Sequence, residues 1–204
     1  EKTALDNLSL TLHEGDFVTV IGGNGAGKST MLNAIAGTFS VDSGSILIDG
    51  KDVTRLPEFK RAALLGRVFQ DPMMGTAPTM QIQENLALAA RRGKHRGLKW
   101  GITPQEEQEY YQKLKDLDLG LEDRMKAKVG LLSGGQRQAL TLLMATLQKP
   151  KLLLLAEHTA ALDPQTAQRV MDITDRLVRE NHLTTLMICL LYTSPSPRDV
   201  EESR

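Results

Sequence analysis

The feature that most constrains this chain is an eight-residue stretch, GGNGAGKS, at residues 22–29. It matches the pattern G-x-x-x-x-G-K-[ST] and lies between an apolar, largely β-branched run at 17–21 and a helical pattern at 29–36. In such a strand, loop and helix, small residues let backbone N–H groups converge on an anion at the positive end of the helix. The sequence therefore predicts a phosphate-binding loop at the edge of an α/β sheet.

Two side chains of this loop have chemistry suited to a nucleoside triphosphate. Lys28 can reach the outer phosphates, and the Ser29 hydroxyl is a ligand for Mg²⁺. The other interpretation is a glycine-rich turn in an ordinary α/β protein, which the flanking strand and helix disfavour. We therefore expect ATP or GTP binding, with Mg²⁺ beside the nucleotide.

Charge and composition narrow the possible partners. Lysine and arginine together number 25, as do aspartate and glutamate, so no net field attracts nucleic acid or anionic lipid. No apolar run approaches the roughly 20 residues that a transmembrane helix needs. The single cysteine, Cys189, cannot form an internal disulfide, which favours a reducing compartment such as the cytoplasm. We expect a globular protein without a nucleic-acid partner.

Strand and helix patterns alternate along most of the chain. Apolar runs at 64–69, 151–155 and 183–188 are typical of buried strands, and helical periodicity marks 82–92, 104–117, 137–148 and 164–180. This alternation predicts a parallel α/β core with an inserted helical subdomain at about 82–135. Nearer the start, Leu8, Leu10 and Leu12 alternate with polar residues, which predicts a half-buried strand.

A second glycine-rich stretch, LSGGQ at residues 132–136, also precedes a helical pattern. Serine and glycine at a helix start can cap the helix, and they can also offer N–H groups to an anion. In isolation a simple helix cap is the more common outcome. The stretch is not isolated here, because it follows a phosphate loop in the same chain.

The order of the motifs gives the chain its resemblance. GGNGAGKST, Gln70 after a strand, LSGGQ, the strand LLLLAEH and then AALD resemble the nucleotide-binding subunit of ABC transporters through residue 188. The resemblance implies a P-loop NTPase (RecA-like) parallel-sheet core, an N-terminal antiparallel β subdomain and the inserted α-helical subdomain. DPMMGTAP and LALAARRGKHRGL look like segments of bacterial importers for amino acids or similar small organic solutes.

The resemblance also assigns roles in a head-to-tail dimer of nucleotide-binding subunits, a homodimer or a heterodimer, with two composite ATP sites. In cis, the phosphates are expected to contact Gly22, Gly23, Asn24, Gly25, Ala26, Gly27, Lys28, Ser29 and Thr30. In trans, they are expected to contact Ser133, Gly134, Gly135 and Gln136. Ser29 and Gln70 are expected to coordinate Mg²⁺. Gln70 is also expected to contact the water that attacks the γ-phosphate. Glu157 is the expected general base, Asp163 links the two sites, and His158 is interpreted as a loop residue without a catalytic role.

The sequence departs from the family at two places, Ala156 and the segment that follows residue 188. Ala156 stands where the family has an aspartate that holds Mg²⁺ through its water shell. Loss of a charge-assisted hydrogen bond costs about 1.5–3 kcal/mol, so we expect ATP binding with weakened Mg²⁺ coordination and slow hydrolysis. Leu190 stands where a histidine is expected, and residues 189–204 resemble a translated sequencing adaptor. We expect a nucleotide-binding domain over residues 1–188, truncated at both ends, followed by a non-native tail.

The implied partners are an integral membrane permease subunit and an extracytoplasmic solute-binding protein. The implied location is the cytoplasmic face of the cell membrane, with the chain bound peripherally. A basic run, Arg91, Arg92, Lys94, Arg96 and Lys99, is either a solvated face or a contact for acidic loops or lipid headgroups. Two other functions stay open: an ABC-type ATPase unconnected to transport, and an ATP-dependent dimerisation switch that does not hydrolyse.

Overall fold

Strands and helices alternate along the described part of the chain. The computed structural model describes residues 3–94 and 101–190, with the backbone alone at Leu190. The strands are β1 Phe17–Gly22, β2 Leu47–Ile48, β3 Lys51–Asp52, β4 Leu65–Val68, β5 Leu152–Ala156 and β6 Thr185–Leu190. The α-helices are α1 Lys28–Ala36, α2 Glu58–Arg61, α3 Ile82–Ala90, α4 Pro104–Lys115, α5 Gly134–Thr146 and α6 Pro164–Asn181. Apart from one strand predicted near the start of the chain, the predicted helices and strands are confirmed within a few residues at most of their ends.

The main sheet has four parallel strands in the order β1-β6-β5-β4. Leu153, Leu154 and Leu155 of β5 are fully buried, as expected for a parallel strand covered on both faces. Because all four strands run the same way, their carboxyl ends lie along one edge. The segments that follow β1, β4 and β5 therefore share that edge.

Alternate residues of β5 belong to two different apolar cores. Leu153 and Leu155 join a core formed largely by helices α3 to α6, whereas Leu154 joins one that includes Met31 and Leu32 of α1. The period of two along a strand sends neighbouring side chains to opposite faces. The sheet is therefore sandwiched between α1 on one side and the later helices on the other.

The antiparallel part of the structure is small. It consists of the hairpin β2-β3, in which Leu47 pairs with Asp52 and Ile48 pairs with Lys51. The predicted strand through Leu8, Leu10 and Leu12 is wrong, since that segment has no strand assignment and Leu8 is 55% exposed. Alternation favours a strand only if a neighbouring strand supplies the hydrogen bonds, and no such strand lies beside this segment in the described residues.

The segment between β4 and β5 is helical, as predicted. α3 packs on both α4 and α5, and Tyr110 and Leu114 of α4 are buried in the shared core. Thr103 caps α4 by accepting from the backbone N–H of Glu106. The boundaries of a separate subdomain at 82–135 stay a prediction. No helix in the described part has both the length and the apolar character that a bilayer span requires.

Part of the basic run is used inside the chain. Arg91 forms an ion pair with Glu106 at 3.0 Å, and Arg92 donates to the Ala145 carbonyl oxygen at 3.4 Å. Burial lowers the pKa of Arg92 below the ordinary value of arginine. Arg96 and Lys99 lie outside the described residues. The first two members of the run therefore contribute to packing between helices.

The predicted tail overlaps the last strand. Cys189 and Leu190 continue β6 in register with Ile21 and Gly22 of β1. Residues 191–204 lie outside the described residues, so the predicted non-native origin of 189–204 stays a prediction. The backbone of β6 extends through both residues at which that tail was expected to begin.

Candidate functional site

The phosphate loop, residues 22–29, joins β1 to α1 as the spacing of its glycines predicts. Gly25 and Gly27 have φ angles of 78° and 81°, a left-handed conformation that favours glycine. A Cβ added at Gly27 would lie 2.6 Å from the Ala4 carbonyl oxygen, so space as well as conformation requires glycine there. Ser29 is exposed in the first turn of α1, where its hydroxyl is available to a ligand.

Lys28 crosses from the phosphate loop to the end of β5. Its side chain is only 7% exposed, and its Nζ donates to the carbonyl oxygens of Gly22 at 2.7 Å and Gly23 at 2.8 Å. The same nitrogen lies 3.9 Å from Oε1 of Glu157, whose side chain is 14% exposed. The structure thus brings together two predicted catalytic residues that are far apart in sequence.

Glu157 begins the segment that follows β5. Its φ angle is 44°, in the left-handed region that a non-glycine residue rarely adopts. Its N–H donates to the Ile188 carbonyl oxygen at 3.3 Å, and its own carbonyl accepts from the Ala160 N–H at 2.9 Å. Ala156, the last residue of β5, pairs with Ile188 and packs against the apolar core beneath α1. The strand therefore ends with a methyl group followed by one carboxylate.

Gln70 lies at the same edge of the sheet. Val68 at the end of β4 pairs with Leu155 of β5, so Gln70 and Glu157 each stand two residues beyond that pair. Gln70 is exposed. Parallel pairing therefore places its segment beside that of Glu157, as the predicted roles of the two residues require.

The signature segment, residues 132–136, starts α5 with a reciprocal cap. The Ser133 hydroxyl accepts from the Gln136 N–H at 3.3 Å, and the Ser133 N–H donates to Oε1 of Gln136 at 3.2 Å. The predicted helix cap is confirmed. Gly135 lies against α6, since a Cβ there would be 2.2 Å from Cγ2 of Thr166. Within the described residues no hydrogen bond or ion pair joins this segment to Lys28 or Glu157.

Asp163 begins α6 and acts as its cap within the same chain. Its Oδ1 accepts from the Thr166 N–H at 3.0 Å. Hydrogen bonding by the Thr166 side chain, and then by its backbone, holds the pKa of Asp163 below its usual value. The carboxylate is exposed at the start of the helix. The predicted role of Asp163 between two subunits stays a prediction.

Comparison with known proteins agrees with this geometry. The family model for "ABC transporter" matches residues 5–160. The "Tyrosine transport ATP-binding protein" of Clostridioides difficile is 47% identical over 186 residues, which are 91% of this chain and 74% of that protein. This chain belongs to the ABC transporter family. It is an ATP-binding cassette of a class of ATPases coupled to transport.

Other relatives of the cassette are longer, and their structures are similar. The methionine import ATP-binding protein MetN of Rhizobium johnstonii is 37% identical over 91% of this chain and 49% of its own length. The chain spans about half the length of that relative. The solved cassette MJ0796, in a dimeric post-hydrolysis state bound to ADP and Pi, shares 31% identity at a TM-score of 0.75. That match covers 91% of this chain and 79% of MJ0796.

Sequence reasoning missed two residues that connect the ABC cassette's signature helix to the Gln70 segment. Arg137 is 8% exposed and donates to the carbonyl oxygens of Val129, Gly130 and Leu132, and it also contacts the Met73 sulfur. Gln138 is fully buried and donates from Nε2 to the Phe69 carbonyl oxygen at 3.1 Å. Their position just after LSGGQ on a helix with an apolar face was the available signal.

His158 lies in a loop, as interpreted from the sequence, but its burial was not predicted. Its side chain is 2% exposed, and its Nε2 lies 3.0 Å from Oγ1 of Thr174 in α6. Burial lowers the pKa of His158 to about 4. The signal in the sequence was Thr174, a polar residue at a core position of α6, four residues after Val170 and four before Val178.

Proposed function

We propose that this cassette is the ATP-binding subunit of an importer for amino acids or similar small organic solutes, and that it hydrolyses ATP as one of a pair of cassettes. The observation that carries the proposal is the 3.9 Å approach of Lys28 to Glu157, which joins a phosphate loop to a carboxylate at one sheet edge. The relatives' names, which include tyrosine transport and methionine import, support the solute class.

The phosphate loop binds the triphosphate within one copy. Backbone N–H groups of residues 22–30 face the phosphates at the start of α1, where the helix dipole favours negative charge. Lys28 exchanges its bonds to the Gly22 and Gly23 carbonyl oxygens for bonds to the outer phosphates. Its aliphatic stem is already buried, so the ammonium group needs only a short displacement.

Glu157 acts on the water that attacks the terminal phosphate. A carboxylate near the γ-phosphate accepts a proton from this water as its oxygen bonds to phosphorus, and the bond to the bridging oxygen of ADP breaks. Gln70, two residues beyond β4, orients the same water through its amide. Phosphate and ADP are the products.

The residues at this edge fit Mg²⁺ when the nucleotide supplies most of its ligands. Ser29 and Gln70 would offer neutral oxygens, and Mg²⁺ is commonly held by few protein groups together with substrate phosphates. No cluster of three or more His, Cys, Asp or Glu side chains suited to a metal occurs in the described residues. When bound, the ion neutralises charge on the phosphates.

Ala156 removes one carboxylate from this arrangement, and we propose that hydrolysis by this chain is slow for that reason. Replacing Ala156 by aspartate should raise turnover by about 10-fold to over 100-fold, as expected for regaining a charge-assisted hydrogen bond of about 1.5–3 kcal/mol. Ala156→Asp should also bind Mn²⁺ more tightly than wild type in the presence of ATP. Electron paramagnetic resonance measures this affinity independently of turnover. Equal turnover and equal Mn²⁺ affinity in the two proteins would refute the proposal. Ala160→Asp, an exposed change nearby, is the matched control.

The second half of each ATP site comes from the other cassette. Ser133, Gly134, Gly135 and Gln136 start a helix whose remaining N–H groups can contact a γ-phosphate that the partner holds. The exposed Asp163 carboxylate lies at the start of the helix on which this segment packs. A head-to-tail pair then has two equivalent sites. The dimeric MJ0796 structure supports the pairing of two cassettes.

The proposed membrane partner is a permease subunit, which docks beside the Gln70 segment at the cytoplasmic face. Met73, Met74 and Leu131 are 43%, 68% and 70% exposed, and Arg137 contacts both Met73 and the Gly130 carbonyl oxygen next to Leu131. This makes a flexible apolar surface between the site and the signature segment. A short permease helix fits such a surface, and an extracytoplasmic solute-binding protein completes the proposed system.

The decisive experiment is Glu157→Gln. Removing the proton acceptor should reduce phosphate release at least 100-fold while preserving ATP affinity, and should stabilise an ATP-dependent dimer in light scattering. Glu180→Gln on the exposed face of α6 is the control and should behave as wild type. Phosphate release that is unchanged in Glu157→Gln would overturn the assignment. An ATP-dependent dimer of the wild type without any phosphate release would indicate a switch instead of an importer ATPase.

A further inference from the structure

His158 directly follows the proposed general base, and its imidazole is buried between the end of β5 and α6. The side chain is 2% exposed, and Thr174, the residue that it contacts, is fully buried. The two side chains are joined by a hydrogen bond of 3.0 Å between Nε2 and Oγ1. This contact connects the segment that carries Glu157 to the middle of an 18-residue helix.

The direction of this hydrogen bond follows from its neighbour. The Thr174 hydroxyl donates its one hydrogen to the Val170 carbonyl oxygen at 2.8 Å. It must therefore accept from His158, which requires a hydrogen on Nε2. The histidine is neutral in this environment, consistent with the effect of burial on its pKa. An amide such as that of glutamine can replace this donor, whereas an aliphatic side chain cannot.

Glu157 needs support from its neighbours because its backbone is strained. A non-glycine residue at a φ of 44° costs of order 1 kcal/mol and persists when the surrounding structure holds it. Hydrogen bonds to Ile188 and Ala160 hold its backbone on either side. Those two bonds fix the turn, and the buried imidazole of the next residue fixes the direction in which the chain leaves it.

We propose that His158 is a positioning residue for Glu157: through its hydrogen bond to Thr174 it holds the carboxylate toward Lys28 and the phosphate loop. The inference rests on the proposed function, in which Glu157 accepts the proton from water. His158 itself touches neither nucleotide nor water. Its effect is therefore on the rate of the chemical step, with ATP binding left to the phosphate loop.

The test compares His158→Leu, His158→Gln and Thr174→Val in the full chain, using single-turnover hydrolysis of ATP with protein in excess. His158→Leu and Thr174→Val should each lower the hydrolysis rate about 10-fold, with ATP affinity changed less than 2-fold. His158→Gln should restore the rate to within about 3-fold of wild type, because the amide again donates to Thr174. The double variant His158→Leu/Thr174→Val should be no slower than either single variant, since one bond is lost in all three.

Thr146→Val provides the matched control for loss of a buried hydroxyl. Thr146 is 4% exposed, and its hydroxyl shares its one hydrogen between the Leu142 and Leu143 carbonyl oxygens near the end of α5. This variant should lose stability while retaining the wild-type rate. Equal rates for wild type, His158→Leu and Thr174→Val, measured on folded protein, would overturn the proposal and leave His158 a packing residue. Such a result, together with inactive Glu157→Gln, would leave the proposed function intact, whereas active Glu157→Gln would remove that function as well.

Discussion

The phosphate loop and the signature segment are both glycine-rich helix starts, yet they use their backbone N–H groups differently. α1 starts at Gly27 in a left-handed conformation and, among the described residues, has no side-chain cap. α5 starts at Ser133, which exchanges two hydrogen bonds with Gln136. The first start keeps its donors for an anion, whereas the second has satisfied some of its own. The difference fits the proposal that the phosphate loop binds phosphate within one copy, whereas the signature segment completes the site of a partner copy.

The two regions also differ in what holds them in place. Around the phosphate loop the contacts are charged and polar: Lys28 joins the loop carbonyls to Glu157, and His158, the residue after Glu157, bonds to Thr174. At the signature segment the contact with α6 is steric, since Gly135 packs directly on Thr166. Changes of protonation should therefore act on the first region, and changes of size on the second.

Lowering the pH should produce the largest effect, a loss of folding stability that comes from His158 beside the phosphate loop and not from the signature segment. The pKa of His158 is lowered to about 4 in the folded chain from an ordinary value of 6.5. Between these values the unfolded chain binds a proton that the folded chain does not, so stability is lost as the pH falls from 6.5 toward 4. At 1.36 kcal/mol per pKa unit the full window amounts to about 3 kcal/mol. Urea unfolding of wild type and His158→Gln at pH 7, 6 and 5 measures this loss.

Comparison with His158→Gln separates the effect of His158 from that of the carboxylates that titrate in the same pH range. Between pH 7 and pH 5 the wild type should lose about 2 kcal/mol more of its free energy of unfolding than His158→Gln does. Parallel pH profiles for wild type and His158→Gln would contradict a buried neutral imidazole.

Added size should produce the next largest effect, at the signature segment. Gly135→Ala places a methyl group 2.2 Å from Cγ2 of Thr166, and overpacking of this kind costs about 2 kcal/mol. Thermal unfolding should show a lower melting temperature, and pushing α5 away from α6 should also weaken ATP-dependent dimerisation. ATP binding by the monomer should be unchanged, because the phosphate loop is not touched.

Removing the opposing methyl group tests this steric cause. Thr166→Ser lacks Cγ2 but keeps the backbone N–H that donates to the Asp163 cap, so the double variant Gly135→Ala/Thr166→Ser should recover most of the lost stability. Gly101→Ala is a useful control, because nothing lies within 4 Å of the added Cβ. A double variant no more stable than Gly135→Ala would show that the methyl contact is not the source of the loss.

Local features of this chain were predictable from sequence because a few neighbouring residues determine them. The phosphate loop needs only its glycines and the flanking strand and helix, and the Ser133 cap needs only Gln136 three residues later. The prediction of a strand through Leu8 and Leu10 was wrong because a strand is not determined by neighbouring residues alone. A strand requires a partner from elsewhere in the chain, and alternation of leucines does not provide one.

Contacts between residues far apart in sequence could be predicted only with knowledge of the strand order in the sheet. Lys28 meets Glu157 only because β1, β6 and β5 are neighbours in a parallel order, which no local pattern specifies. His158 is a similar case, since its burial depends on α6 crossing over the end of β5 to present Thr174. In this cassette the family resemblance supplied the predicted role of Glu157, and the fold supplied its neighbours Lys28 and His158.

Loss of the Ser133 hydroxyl should produce the smallest effect and tests the comparison most directly. Ser133→Ala removes the acceptor for the Gln136 N–H, which should lower the free energy of unfolding by about 1 kcal/mol. If the segment completes the partner's site, hydrolysis should fall far more than this loss of stability explains, while ATP affinity of the monomer stays at the wild-type value. Urea unfolding, nucleotide titration and phosphate release measure the three quantities on one protein. Thr103→Ala removes the equivalent cap of α4 and should reproduce the stability loss with no change in hydrolysis. If both variants lost only stability, the signature segment would be a helix cap and nothing more, and the contrast with the phosphate loop would disappear.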